Sequence, residues 1–411
     1  MIRQAYAKED VLNQVYRGFL EVVDIGDFIE TSGTLFETKK KEKTIEVSGW
    51  NMLAKSLLPL PEKWHGLQDV DERFRKRYLD VVMNGDVRKR FELRSHIIKT
   101  IRAFHDKNGF LEVETPMFHP IPGGTLARPF IIHHNALDID LYLRIAPELY
   151  LKRLLVAGFE RVYEMGRCFR NEGIDTTHNP EFTMLECYAA YWDEEDMMQF
   201  VEDLFIDLVS SLNKKVIQID GKEISFKKPF ARIRFQDLLM RYALIPDYEA
   251  ESRDSLAGRA LQLGIDVPRY VSKGKIADEI YKKICRPYLV QPTFLIHHPL
   301  DISPLAKKRS ENKNEVRRLQ LVVGGAELTN GWAELNDPID QRERFEEQER
   351  ERLGGEDEAM RLDEDFLEAM EYGMPPAAGL GIGIDRLVML LAGTKNIREV
   401  LLFPTLRPKR D

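Results

Sequence analysis

Residues 160–170, ERVYEMGRCFR, and 182–191, FTMLECYAAY, are two sheet-forming runs separated by the short charged stretch NEGIDTTHNPE. Successive side chains of a strand point to opposite faces. The first run therefore places Glu164, Gly166, Cys168 and Arg170 on one face, and the second places Phe182, Met184, Glu186 and Tyr188 on one face. Paired as a hairpin, they give a surface carrying two acids, an arginine, an aromatic ring and a phenol. An apolar core would not accept that set. The chain is thereby constrained to a sheet with one chemically active face.

The residue types on that face suit a nucleotide beside a charged small molecule. Arg170 has the planar fork that grips a phosphate or carboxylate, and Phe182 offers a flat surface to a purine. His178 and Arg128 can reach outer phosphates. Taken alone, Arg170 and Glu172 also read as an ion pair on an exposed hairpin. A second cluster, RRLQLVVGGAELTNGWAELNDP, centres on the two-residue glycine turn Gly324-Gly325. Counting outward from it pairs Val322 with Glu327 and Gln320 with Thr329, so Gln320 and Glu327 share a face and can take up a hydrated Mg²⁺ beside a triphosphate. Strict alternation sends Asn330, Trp332 and Glu334 to the opposite face, unless a bulge at Asn330-Gly331 turns them back. The third cluster is GLGIGIDR, in which Gly379, Gly381 and Gly383 alternate and leave one strand face open to close approach. Its spacing is not that of a dinucleotide fingerprint. Arg386 follows at the start of a helix, where it can cover the free side of a purine resting on Phe182.

With 411 residues the chain is long enough for more than one domain. No apolar run approaches the roughly 20 residues of a membrane helix, and MIRQAYAKED lacks a signal-peptide core, so a cytoplasmic location is expected. A net charge of -8 excludes a molecule-wide basic footprint for nucleic acid, leaving local patches at Glu37 to Thr44 and in the segment from Asp71. Either patch also reads as a solvated face. Cys168, Cys187 and Cys285 have neither disulfide nor zinc spacing and read as small buried side chains.

A boundary is expected where SLLPLPEKWHG interrupts the pattern at 56–66. Before it, Phe28 to Phe36 and Thr44 to Leu53 read as strands around a lysine-rich turn, preceded by an amphipathic stretch. After it, Leu93, Ile97, Ile101 and Phe104 share a helical face, Asn108-Gly109 stops the helix, and a strand ending at Pro116 follows. A helical insertion is expected at about 235–287. Hairpin-joined strands with clustered helices predict an α+β domain on an antiparallel sheet.

The helix and strand ending at Pro116, FRNE followed by HNPEF, and GLGIGIDRL resemble, in this order, the three signature motifs of class II aminoacyl-tRNA synthetases. The resemblance runs from about Pro59 to the end. LPLPEKWHGL, RIAPELYLKRLLVAGFERVYEMGRCFRNEG and NGWAELNDP further resemble the bacterial lysyl-tRNA synthetases. The resemblance implies a catalytic domain over 59–411 and a partial OB-fold, anticodon-binding domain over 1–58 that lacks its opening strands. It also implies a homodimer, the substrates lysine, ATP and tRNA(Lys), and Mg²⁺. By matching positions, Arg170 would hold the α-phosphate and the lysine carboxylate, and Glu172, His178, Asn179, Phe182, Glu327 and Arg386 would hold ATP. Gly124 and Glu148 would receive the α-ammonium, and Glu334 with Tyr188 the side-chain ammonium, with Glu186, Asn330 and Trp332 completing that site. Where many relatives carry a second acid beside the metal, this chain has Gln320. The same chemistry with a protein as lysine acceptor, or a silent RNA-binding protein, are the alternatives.

Overall fold

The computed structural model describes residues 4–7, 14–60, 67–214, 216–219, 221–268, 271–355 and 358–409. The chain divides into two compact units, Met1–Arg88 and Lys89–Asp411. The proline-rich stretch expected as a boundary lies mostly outside the described residues, at 61–66.

In the first unit β1 (Gln4–Ala7), β2 (Phe28–Glu37) and β3 (Lys43–Ala54) form a sheet in the order β1-β3-β2, with a helix over Gln14–Val22 between β1 and β2 in the chain. The strands β2 and β3 pair antiparallel around an exposed turn carrying Lys39, Lys40 and Lys41, as the alternation and the turn residues require. Phe19 on the helix packs edge-on against Trp50, with ring centroids 5.3 Å apart. The segment from Asp71 folds as two short helices, Val70–Arg75 and Arg77–Met83.

The second unit is built on an eight-stranded sheet. Its strands, in chain order, are β4 (Leu111–Glu112), β8 (Arg161–Phe169), β9 (Glu181–Ala190), β12 (Ala231–Arg234), β13 (Thr293–Ile296), β14 (Arg318–Val323), β15 (Ala326–Ala333) and β16 (Ala377–Gly383). The spatial order is β12-β13-β14-β15-β16-β9-β8-β4. The central pairs are antiparallel, and parallel pairs stand at both edges, β12 with β13 and β4 with β8. Between β4 and β8 the chain forms a small sheet of β5 (Phe118–His119), β6 (Ile131–His134) and β7 (Ile139–Leu143); β10 (Val216–Ile219) and β11 (Lys222–Ser225) make a separate hairpin.

The strand expected to end at Pro116 is shorter, with two paired residues and one further bond from Val113 N–H to the Tyr163 carbonyl. Beyond it the Thr115 N–H and hydroxyl turn to the Glu164 carboxylate, at 3.2 and 2.6 Å, and Pro116 has no N–H to continue a ladder. Glu164 is thereby committed to supporting the sheet, together with Arg144, and does not line the pocket described below. Gly166 leaves the space into which the Arg144 guanidinium fits.

One face of the sheet is apolar. Leu185, Cys187 and Ala189 of β9, Leu380 and Ile382 of β16, and Leu319 and Leu321 of β14 pack there against three helices, Gly85–Lys107, Glu194–Ser211 and Ile384–Ala392. Ile97 and Ile101 of the first helix are wholly buried, each worth about 1.5 to 3 kcal/mol. Its stop at Gly109, with φ of 76°, matches the sequence expectation. The second helix starts on a reciprocal cap between Asp193 and Asp196. The described residues of 235–288 form short helices around their own core of Phe235, Leu256, Ile276 and Tyr281. With the apolar face filled, the opposite face is left for chemistry.

Candidate active site

The two sheet runs pair as a hairpin in the register that brings their polar faces together: Glu164 opposite Glu186, Gly166 opposite Met184, and Cys168 opposite Phe182. On the other side of β16 the register of β14 with β15 begins as expected, Val322 opposite Glu327. It then shifts, so that Leu321 stands opposite Thr329 and Gln320 opposite Asn330. Leu328 is the extra residue of a β-bulge. Its side chain joins the apolar core, and the Thr329 hydroxyl accepts the Leu321 N–H at 3.3 Å. The bulge thus lies at Leu328, two residues earlier than Asn330. Its effect is to place Glu327 on the same face as Asn330, Trp332 and Glu334, which strict alternation would have sent into the core.

Two rows of residues then cross the sheet. One runs Asn330, Gly381, Glu186; the next runs Trp332, Gly379, Tyr188. The glycines in the middle of both rows make a trough, which is what their alternation in GLGIGIDR implied. Around it opens a pocket of about 190 Å³. Of the expected residues its walls include Arg170, Glu172, His178, Asn179, Phe182 and Arg386 at one end. Gly124, Glu148, Glu186, Tyr188, Asn330 and Trp332 line the other, and Glu327 lies between.

At the first end the Arg170 guanidinium lies 5.0 Å above the Phe182 ring, and its buried Nε has no hydrogen-bond partner. An unsatisfied buried cationic donor fits an anion. The loop after it is shaped by Asp175, whose carboxylate accepts from the Thr177 and His178 N–H groups at 2.6 and 2.8 Å. Burial opposes ionisation there, yet these bonds and His178 hold the carboxyl down to about 2. His178 Nε2 meets Arg386 Nη2 at 2.8 Å. Asn179 bonds the Glu181 carbonyl and the Thr405 N–H, so its side chain pins the loop. Arg128 is exposed and outside the pocket wall.

The other end closes on a buried cluster of charge. Glu334 is 1% exposed and lies just beneath the trough. Its Oε2 accepts from Trp332 Nε1 at 2.8 Å and pairs with Lys152 Nζ at 2.5 Å. Its Oε1 is buried without a hydrogen-bond partner. A Cβ at Gly379 would collide with this oxygen and with the Tyr188 ring, so glycine is what lets the carboxylate and the phenol meet. Lys152 is fully buried and also pairs with Glu148, one helical turn earlier, at 2.5 Å. The Tyr188 hydroxyl donates to Glu186 Oε2 at 3.0 Å. Burial and the nearby Glu148 charge push Glu186 up to about 8. Burial does the same to Glu334, also to about 8, although the Lys152 ammonium pulls it down. Glu148 and Glu334 thus pair with one internal ammonium while Glu186 stands nearby with only the Tyr188 hydroxyl, an arrangement that favours a cationic guest.

Gln320, expected beside Glu327 at a metal, lies behind the wall instead. It is 4% exposed, and its Oε1 accepts from the Tyr281 hydroxyl at 2.7 Å. Among the described residues no group of three or more His, Cys, Asp or Glu could hold a metal unaided. Two participants escape the sequence reading. Lys152 follows Glu148 at i+4 inside an otherwise apolar helical run, ELYLKRLLV, and that pairing was the available signal. Asp385 is the other: it accepts from Arg94 and from the Thr183 N–H, and so fixes the helix that carries Arg386.

No helix among the described residues is long and apolar enough to cross a membrane. The family model described as tRNA synthetases class II (D, K and N) matches residues 69–407. A lysine-tRNA ligase of Moorella thermoacetica is 49% identical over 99% of this chain and 84% of its own length. That of Syntrophomonas wolfei is 50% identical over 99% of this chain and 83% of its own, and that of Aquifex aeolicus 48% over 99% and 69%. With these matches and a polar trough on an antiparallel sheet, the chain belongs to the lysine-tRNA ligase family of class II tRNA synthetases.

Proposed function

We propose that this chain activates L-lysine with ATP and transfers it to the 3′ end of tRNA(Lys). The observation that carries the reading is Glu334 Oε1, a buried acceptor without a partner that lies against Gly379 of a pocket whose other end carries Arg170, Phe182 and Arg386. The side-chain ammonium of lysine binds that oxygen beside Tyr188. Glu148, with the Gly124 backbone that packs against it, receives the α-ammonium. The lysine carboxylate then lies at Arg170, whose Nε supplies the missing hydrogen bond to it or to the α-phosphate.

ATP takes the other end, with the purine on Phe182 and under Arg386, and with Glu172, His178 and Asn179 around it. A carboxylate oxygen of lysine attacks the α-phosphorus; a new P–O bond forms and the bond to pyrophosphate breaks. Both reactants are anionic, so catalysis consists of fixing the line of attack and screening charge, and Arg170 and Arg386 do both. No proton has to move. In the second step the terminal ribose hydroxyl attacks the lysyl carbonyl; a new ester bond forms, the bond from the carbonyl carbon to the phosphate oxygen breaks, and AMP leaves with the hydroxyl proton on its phosphate. Glu327 would be the protein oxygen that holds Mg²⁺ beside the triphosphate, and the ion would supply further screening of the phosphates. Gln320, held by Tyr281, contributes nothing to it. We assign the N-terminal unit, with its exposed lysine-bearing turn, to the anticodon side of the tRNA, and take the working form to be a cytoplasmic homodimer.

Lysine-dependent exchange of labelled pyrophosphate into ATP tests the first step, and charging of full-length tRNA(Lys) the second. Glu334→Gln should remove lysine dependence while ATP still binds; unchanged lysine affinity in that variant would overturn the assignment. Ornithine, one methylene shorter, should be rejected by only about 1 to 3 kcal/mol.

A further inference from the structure

Glu334 does not meet its guest as a free carboxylate. Both of its hydrogen bonds, from Lys152 Nζ and Trp332 Nε1, fall on Oε2. Lys152 has no latitude to withdraw: it is 0% exposed, is tied to Glu148 in the same helix, and lies 5.9 Å from the Trp332 ring centroid and 6.0 Å from that of Phe366. What remains is one acceptor atom, Oε1, held against Gly379 and Tyr188.

We propose that Lys152 is a specificity-determining positioning residue, which occupies one oxygen of Glu334 and so offers a single acceptor to a single ammonium. This rests on the lysine reading above and names what enforces it. An ammonium is a point charge satisfied by one close oxygen, whereas a guanidinium binds best as a fork across both oxygens of a carboxylate. With Oε2 taken, arginine loses one arm of that fork and leaves buried N–H groups unpaired, which is costly. Discrimination between two cationic tails then comes from hydrogen-bond count as well as from length.

The test is a double-mutant cycle on lysine-dependent pyrophosphate exchange, with arginine as the competing amino acid. Lys152→Met should raise the lysine KM by about 30-fold or more, leave the ATP KM within about 2-fold, and lower the lysine-to-arginine ratio of kcat/KM by about 10-fold or more. Lys152→Met alone leaves two buried acids, Glu148 and Glu334, without their cation, whereas Glu334→Gln with Lys152→Met leaves only Glu148, so the double variant should fold even if the single variant does not. Because Lys152 acts through Glu334, the double variant should match Glu334→Gln alone in lysine KM within about 3-fold. An unchanged lysine-to-arginine ratio in Lys152→Met overturns the proposal, and so does a further large rise of lysine KM in the double variant. Wild-type protein with no lysine-dependent exchange would instead overturn the functional reading.

Discussion

Arg386 Nη2 donates to His178 Nε2 at 2.8 Å, joining the first turn of the C-terminal helix to a loop 208 residues earlier. Arginine has no acceptor, so Nε2 must accept and the imidazole proton sits on Nδ1, facing the Asp175 carboxylate at 2.9 Å. Asp175, His178 and Arg386 therefore form a chain in which the last member is held over the pocket mouth. Arg386→Gln removes the cation that screens the phosphates. It should lower kcat/KM for ATP by about 10² to 10³, with a melting temperature changed by no more than about 2 °C because the side chain is half exposed. Exchange kinetics at varied ATP, with a thermal melt, check both.

Gly379→Ala should separate the two ends of the pocket. Its backbone is ordinary strand, so the cost is contact: the new Cβ meets Glu334 Oε1 and the Tyr188 ring, which packing holds in place. Overpacking of this kind costs about 1 to 3 kcal/mol. The lysine KM is expected to rise by about 100-fold, from loss of the single acceptor, while ATP binding measured without lysine stays within about 2-fold. Equal losses for both substrates would mean that the trough is deformed as a whole.

The hairpin of 160–170 with 182–191 and the glycine trough were legible because period-two alternation survives where a face has mixed chemistry. Neither Phe182 nor Glu186 could be core residues on a regular strand that also buries Leu185 and Cys187. The bulge at Leu328 was not legible in its place. Leucine followed by threonine fits regular pairing as well as a bulge, and the choice is made by the tertiary demand that Asn330, Trp332 and Glu334 join Glu327. Gln320 was misread as a pocket residue because its partner, Tyr281, comes from the 235–288 segment, which no local spacing connects to β14. Lys152 was overlooked for the converse reason: a lysine in a helix is ordinarily solvated, and its burial depends on a carboxylate from a distant segment, Glu334, as well as on Glu148 in its own turn.

Arg94→Met tests the support beneath Arg386. Arg94 pairs with Asp385 Oδ1 at 2.5 Å and also bonds the Thr183 hydroxyl at 3.0 Å, with side-chain exposures of 15% for Arg94 and 3% for Asp385. Removing the arginine leaves a nearly buried carboxylate without its cation, which costs about 3 kcal/mol. Urea unfolding should show that loss in the midpoint without a change in slope. The double replacement Arg94→Met with Asp385→Asn should recover part of it, and failure to recover would place the cost in packing.

Lysine binding should release protons. Glu148, Glu186, Tyr188, as a neutral phenol, and Arg170 line the pocket, and Glu334 lies against its Gly379, paired with the buried Lys152. With the pocket empty, burial and mutual repulsion hold Glu186 and Glu334 up to about 8, so both retain protons through neutral pH. Lysine adds two ammonium groups, and opposite charge at close range favours the ionised carboxylates. The sign follows: groups protonated when empty and ionised when occupied lose protons on binding, and affinity rises with pH up to about 8, above which the empty site is already ionised. Calorimetric titration of lysine at pH 7 in buffers of different ionisation enthalpy should show release of up to about two protons. Glu334→Gln should reduce that release along with the affinity. Proton uptake, or none, would mean that the carboxylates are already ionised and balanced without substrate, and that Glu334 is not kept waiting for a cation.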